Sequence, residues 1–245
     1  MANLNKPDKE EKNSTVFTPL ILSKYITELI EEHYNFKNIY DSCIGEGNLI
    51  TFFKEKNKTI IGSDIKKQTK HQADIFFISD IKDYEYKADI KPDLIIINPP
   101  FNGNGKGKNN LLFPHLFLLR MFETFGYDIP LVMITGDNFL NNNLKNSKRL
   151  NFISNIEKRL TTIITLPLNI FDNVLFNSQV LFFNMPKLNP YYIFNEKKAL
   201  LKFNFSEEEK AEIKKLIEEN EELEKENIRL KNLIEEKKNK LKSDQ

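Results

Sequence analysis

Short apolar runs alternate with amphipathic helical stretches along most of the chain. Seven runs predict strands: Asn38–Ser42, Thr59–Ser63, Ile75–Ser79, Asp93–Asn98, Pro130–Thr135, Thr161–Leu166 and Gln179–Asn184. DLIIIN and LVMIT carry consecutive apolar residues, as expected of strands covered on both faces at the centre of a parallel sheet. Helical periodicity recurs over Asn48–Lys56, Leu111–Phe125 and Asn143–Lys158. Pro19 opens an earlier helix with Ile26, Leu29 and Ile30 on one stripe. This alternation predicts an α/β, doubly wound sheet. The segment joining the last two strands is too short and too Asn-rich for a crossover helix, so they should pair antiparallel, leaving a reversed C-terminal edge strand.

The two ends break this pattern. Residues 1–14 are polar and charged and read as a flexible tail. Residues 15–188 hold the α/β domain, and residues 189–205 read as an extended linker. Over 206–243, Ile213, Leu216, Asn220, Leu223, Asn227, Leu230, Ile234 and Leu241 alternate between a and d positions of a heptad, with Lys237 off the stripe. That pattern predicts a coiled coil about 57 Å long. Asn220 and Asn227 at a positions favour a low-order, in-register assembly. Glu226 facing Lys231 supports a parallel homodimer, whereas Glu219 facing Glu224 opposes it.

Composition narrows the chemistry. A length of 245 residues suits one α/β domain with an appendage, and a net charge of +1 provides no global basic field. Contacts to a nucleic acid must then be local or come from a partner. One cysteine, Cys43, excludes a disulfide framework and a cysteine-rich zinc site, and no metal is expected. Without an apolar run of roughly 20 residues or a signal-peptide core, a cytoplasmic protein with no membrane association is expected. His33, His71 and His115 are scattered and read as surface or packing residues.

The sharpest local signal is Asn98-Pro99-Pro100-Phe101, at the end of the fourth strand. In open α/β sheets, ligands sit outside the carboxyl ends of the strands. The Asn98 carboxamide oxygen and the Pro99 carbonyl can each accept one hydrogen of an aromatic amine, drawing its delocalised lone pair toward tetrahedral geometry. Two prolines stiffen the loop and remove N–H donors, and Phe101 can stack on a flipped base. The plainer reading of these four residues is a stiff turn.

A candidate cofactor segment lies upstream. Asp41-Ser42-Cys43-Ile44-Gly45-Glu46-Gly47 follows the first strand and opens a helix, and its two glycines let the backbone approach a ligand. Asp64 ends the second strand, where a carboxylate can hold two ribose hydroxyls. Asp80 ends the third and can accept from an adenine amino group or simply cap the following turn; Asp74 and Asp83 compete with it. After the Phe101 turn, NGNGKGKNN is either a lid whose Lys106 and Lys108 meet phosphates or a solvated loop.

In order, Phe17-Thr18-Pro19, DSCIGEGNLI, Asp64, Asp80 and NPPF resemble the amino-methylating DNA methyltransferases whose FTP motif precedes the glycine loop. Within that group the chain is most similar to the modification subunits of type I restriction systems and their stand-alone relatives. LPLNIFDNVLFNSQVLFF resembles the strand–turn–strand closing that catalytic domain, and the resemblance covers roughly residues 15–186. It implies a Rossmann-like sheet, S-adenosylmethionine as cofactor and adenine-N6 methylation of DNA. By the same resemblance Phe17, Thr18 and Pro19 lie near the methionine end of the cofactor, together with Asp41, Gly45 and Gly47. Asp64 would hold the ribose, Asp80 the cofactor adenine, and Asn98, Pro99, Pro100 and Phe101 the target base. Ser42 stands where the family often has Pro, Ile44-Gly45-Glu46 replaces a more usual small-residue run, and Phe101 replaces the commoner Tyr.

Relatives with sequence-specific activity usually carry a target-recognition domain after the catalytic one, whereas here a linker and a coiled coil follow. Specificity is then expected to be minimal or supplied by another chain, beside a homodimer formed through the coiled coil. Two alternatives remain open from the sequence: methylation of an RNA base amine, and a non-catalytic cofactor-binding subunit of a modification complex.

Overall fold

The computed structural model describes residues 17–67, 70–101, 113–141, 154–171 and 177–196, together with positions 199, 226, 229 and 230. The chain divides into two units, Met1–Ala199 and Leu200–Gln245. In the second, the described positions Glu226, Arg229 and Leu230 are helical, with Arg229 and Glu226 3.8 Å apart. The remainder of the heptad stretch, the N-terminal tail and residues 102–112 lie outside the described residues, as do Lys106 and Lys108.

Helix α1 spans Leu20–Glu31 and begins after Pro19, whose φ of −59° suits the entry to a helix. Strands β1 (Asn38–Asp41), β2 (Thr59–Asp64), β3 (Ile75–Ile78) and β4 (Leu94–Ile97) follow. A 3-10 turn at Asn48–Ile50 runs into α2 (Thr51–Glu55) between β1 and β2. A second 3-10 turn, Ile81–Asp83, follows β3. Then come α3 (Phe113–Phe125), β5 (Leu131–Gly136), α4 (Asn138–Asn141), β6 (Leu160–Thr165), β7 (Ser178–Phe183) and β8 (Tyr191–Ile193). The strands form one sheet in the order β3-β2-β1-β4-β5-β7-β6-β8.

All seven expected strands are present, and β6 and β7 pair antiparallel as expected. The reversed strand is not at the edge, however. β7 lies between β5 and β6 and is antiparallel to both, and the edge beyond β6 is β8, which runs parallel to β6. The stretch read as a linker therefore contributes sheet at Tyr191–Ile193. Phe194 and Ala199 beyond it are buried, with Phe194 edge-on to Tyr25 of α1 at 5.0 Å. The strand is only three residues long, in a run, YYIF, that leads straight into the charged NEKK and so reads as a linker.

Strand β4 explains why the centre of the sheet is stable: Leu94, Ile95, Ile96 and Ile97 are all fully buried. Each such side chain contributes about 1.5–3 kcal/mol relative to exposure. On one face Ile95, Ile97, Leu131, Met133, Leu181 and Phe183 pack with Phe117, Leu118, Met121 and Phe122 of α3. His115 is fully buried in α3, stacked on Phe139 at 4.3 Å, a packing role as expected. Among the described residues no helix is long and apolar enough to cross a membrane.

Candidate active site

Strand order reverses direction between β1 and β4, and a cavity of about 380 Å³ opens outside the carboxyl ends of β1 to β4. Parallel register places Asp41 opposite Gly62, so Asp41 and Asp64 leave the sheet on the same side. The cavity brings together Phe17, Thr18, Asp41, Gly45, Asp64, Asp80, Asn98, Pro99, Pro100 and Phe101 from the sequence-based set. Pro19 and Gly47 do not line it. Pro19 introduces α1, and the Gly47 N–H donates to the Ile44 carbonyl at 2.8 Å, which closes the turn.

The glycine loop is held by its backbone. Gly45 and Gly47 have φ of +52° and +88°, a conformation that a side chain strains. The Gly45 N–H donates to Asp64 Oδ2 at 3.0 Å, and the Ile44 N–H to the Ser63 carbonyl at 3.0 Å. The Phe17 ring lies against Gly45, where an added Cβ would sit 3.7 Å from Phe17 Cε1. Gly62 is a close approach that the sequence reading passed over. A Cβ there would lie 2.5 Å from Ile44 Cδ1 and 3.2 Å from Ala73 Cβ, so glycine at this strand position lets the loop seat on β2.

The two carboxylates differ. Asp41 is buried, and burial pushes its carboxyl up to about 7, with the Cys43 N–H at 2.9 Å opposing the shift and Asp64 adding to it. Asp64 is half-buried and accepts from Gly45 and from the Lys66 N–H at 3.1 Å. A carboxylate has about four acceptor positions, so Asp64 retains capacity for a pair of hydroxyls. Cys43 lines the cavity, and burial pushes its thiol pKa well above its usual value, which disfavours the thiolate.

Of the three acidic candidates around β3, Asp80 lines the cavity. It also caps the Ile81–Asp83 turn by accepting from the Lys82 N–H at 3.0 Å, which is the plainer of its two sequence readings. Asp74 instead pairs with Lys54 and accepts from the Ile60 N–H at 2.8 Å.

The Asn98 side chain is fixed from a distance. Its Nδ2 donates to the hydroxyl of buried Thr18 at 3.0 Å, which turns the carboxamide oxygen to the opposite side. Thr18 is itself held by Asn48 Nδ2, which donates to the Thr18 carbonyl at 3.2 Å. Phe101 meets Phe171 edge to face at 5.7 Å, and Phe113 and Phe117 complete the wall on that side. The sequence reading gave neither Asn48 nor Phe171 a role at the site, because the spacing of each to its partner carries no periodic signal.

No family model and no curated protein matches this chain. Solved structures do. The type I restriction-modification system methyltransferase subunit from Streptococcus thermophilus aligns with a TM-score of 0.57 at 18% identity over 80% of this chain and 51% of that one. A Listeria monocytogenes protein assigned to the class I S-adenosylmethionine-dependent methyltransferases aligns at 0.53 and 16% identity, over 73% of this chain and 65% of that one. A chain from a type I restriction-modification complex aligns at 0.51 and 19% identity, over 81% and 49%. The chain thus spans from about half to just under two thirds of the length of these structures. At these identities they establish the fold alone, an α/β, Rossmann-like sheet shared with these structures.

Proposed function

We propose that this chain is an S-adenosylmethionine-dependent methyltransferase acting on the exocyclic amino group of adenine in DNA. The observation that carries the reading is Asn98, held by Thr18 in the lining of a cavity that Asp41 and Asp64 also line. The likeness in fold to type I modification subunits supports DNA as the polymer.

The cavity residues suit the cofactor. Asp41, buried beside the glycine loop, is a counter-ion for an α-amino group, and Asp64 has acceptor positions for a ribose diol. Asp80, also in the cavity lining, accepts from an adenine amine. S-adenosylmethionine would supply an electrophilic methyl group on a sulfonium. Thr18 orients Asn98 so that its carboxamide oxygen accepts one hydrogen of the target amine, and the Pro99 carbonyl accepts the other. Together they localise the nitrogen lone pair and stabilise the positive charge that develops on it. Pro99 and Pro100 present no N–H that would compete for the lone pair. Phe101, backed by Phe171, offers a face for a flipped base and keeps water from the reacting nitrogen.

Lys106 and Lys108 are assigned to phosphate contacts, and residues 206–243 to a coiled coil joining two copies. A separate recognition subunit is the further partner we propose. A chain that sediments as a monomer at micromolar concentration would remove the homodimer from this reading. The reading as a whole is tested by offering labelled cofactor with DNA, RNA and protein acceptors in parallel. Label on DNA supports it. Label confined to RNA moves the substrate class, and label on none of them, with cofactor bound, leaves a non-catalytic subunit.

A further inference from the structure

Beneath the glycine loop, three buried or half-buried hydroxyls form a chain that the cavity-lining residues do not account for. The Tyr84 hydroxyl lies 2.9 Å from that of Tyr40, which lies 2.7 Å from Ser63 Oγ, and Ser63 Oγ donates to the Ser42 carbonyl at 3.3 Å. Ser63 has a single hydroxyl proton. With that proton on the Ser42 carbonyl, Tyr40 must donate to Ser63 and Tyr84 to Tyr40, so all the dipoles run one way. Burial raises the pKa of Tyr40 and of Tyr84, so both keep the protons that this direction requires.

The chain connects two segments of the lining. At one end Ser42 opens the glycine loop and lines the cavity; at the other, Tyr84 ends the 3-10 turn whose Ile81 and Lys82 also line it. Ser63 also receives the Ile44 N–H on its own carbonyl, so it grips the loop at two points. Tyr40 is seated by stacking on Phe77 at 6.1 Å and by the edge contact of Tyr86 at 5.2 Å.

We propose that Tyr84, Tyr40 and Ser63 are positioning residues that fix the spacing between the glycine loop and the Asp80 turn, and thereby set affinity for the cofactor. This rests on the methyltransferase reading. The relay touches no reacting atom, so its loss changes how well the cavity is pre-organised and leaves the methyl-transfer step as it was.

The test compares Tyr84→Phe with Tyr86→Phe in the full chain, using calorimetric S-adenosylmethionine binding and steady-state kinetics. Tyr86 belongs to the same aromatic cluster, but its hydroxyl donates to the Ile90 carbonyl, outside the relay. Tyr84→Phe should weaken cofactor binding and raise the cofactor KM roughly five- to tenfold, the scale of one hydrogen bond. The kcat at saturating cofactor and the KM for DNA should stay within about twofold of wild type. Tyr86→Phe should bind as wild type does, and Ser63→Ala should reproduce Tyr84→Phe. Equal binding by Tyr84→Phe and wild type, or equal losses in Tyr84→Phe and Tyr86→Phe, would overturn the relay alone. Wild type that binds no cofactor would overturn the methyltransferase reading and the relay with it.

Discussion

Asn98 Nδ2 donates to Thr18 Oγ1 at 3.0 Å across 80 residues of sequence, so the residue at the end of β4 takes its orientation from the segment preceding α1. An amide can turn either end toward a substrate, and only its oxygen accepts. Replacing Thr18 with Val keeps the shape and removes the acceptor. Thr18→Val should lower kcat roughly 10- to 100-fold, in the range of losing a preorganised polar contact, with a smaller change in cofactor KM. Thr18→Ser should recover most of the rate. Steady-state kinetics on the two variants checks this, and an unaffected kcat in Thr18→Val would separate Thr18 from the chemistry.

Asp41 gives the site a pH dependence whose sign is fixed. Its folded pKa, about 7, lies above the ordinary value of 3.8 because the carboxyl is buried. A cationic amino group binds the ionised form, so affinity for S-adenosylmethionine should rise as pH rises through about 7 and hold only while that amino group stays protonated. Stability of the cofactor-free protein runs the other way. This group's contribution is fully present below the unfolded value and is lost as pH rises through about 7. Asp41→Asn should therefore raise the thermal midpoint at pH 8, by up to about 4 kcal/mol of stability, and do little at pH 4. Thermal denaturation of both proteins across that range provides the check.

Gly62 and Ile44 make the third prediction. A methyl group at position 62 meets the Ile44 side chain, which is itself buried between the loop and the sheet. Gly62→Ala should cost about 1–3 kcal/mol through overpacking and move the loop that carries Gly45. Chemical denaturation and cofactor binding should both register the change. A variant as stable and as tight-binding as wild type would show that Ile44 yields without moving the loop.

Much of the fold was legible because its strands are written as continuous apolar runs. β4 and β5 are buried on both faces, and no helix period competes with LIII or LVMIT. Tyr191–Ile193 was less legible, since the run YYIF is only four residues long and leads straight into the charged NEKK. The place of β7 inside the sheet was hidden for a different reason. The β6–β7 pairing follows from a short connection, whereas the β5–β7 pairing joins strands more than 40 residues apart and is decided by the whole sheet.

The same division holds at the site. Asp41, Asp64 and Asn98 could be read because strand ends in an open sheet are where ligands sit. The contacts that hold them could not, even though the FTP resemblance already placed Thr18 at the site. Thr18 behind Asn98 and Tyr84 behind Tyr40 are joined by hydrogen bonds across 80 and 44 residues, and side-chain partners at such separations leave no period in the sequence. Gly62 did leave a trace, a glycine inside an otherwise apolar strand, which signals close approach by another part of the chain.

The most direct measurement is transfer of labelled methyl from S-adenosylmethionine to unmethylated genomic DNA by wild type and by Asn98→Ala, followed by nucleoside analysis. Label recovered as N6-methyladenine with wild type and lost in Asn98→Ala is the expected result. Label on another nucleoside, or N6-methyladenine formed equally by Asn98→Ala, would contradict the assignment of Asn98 and of the adenine amine.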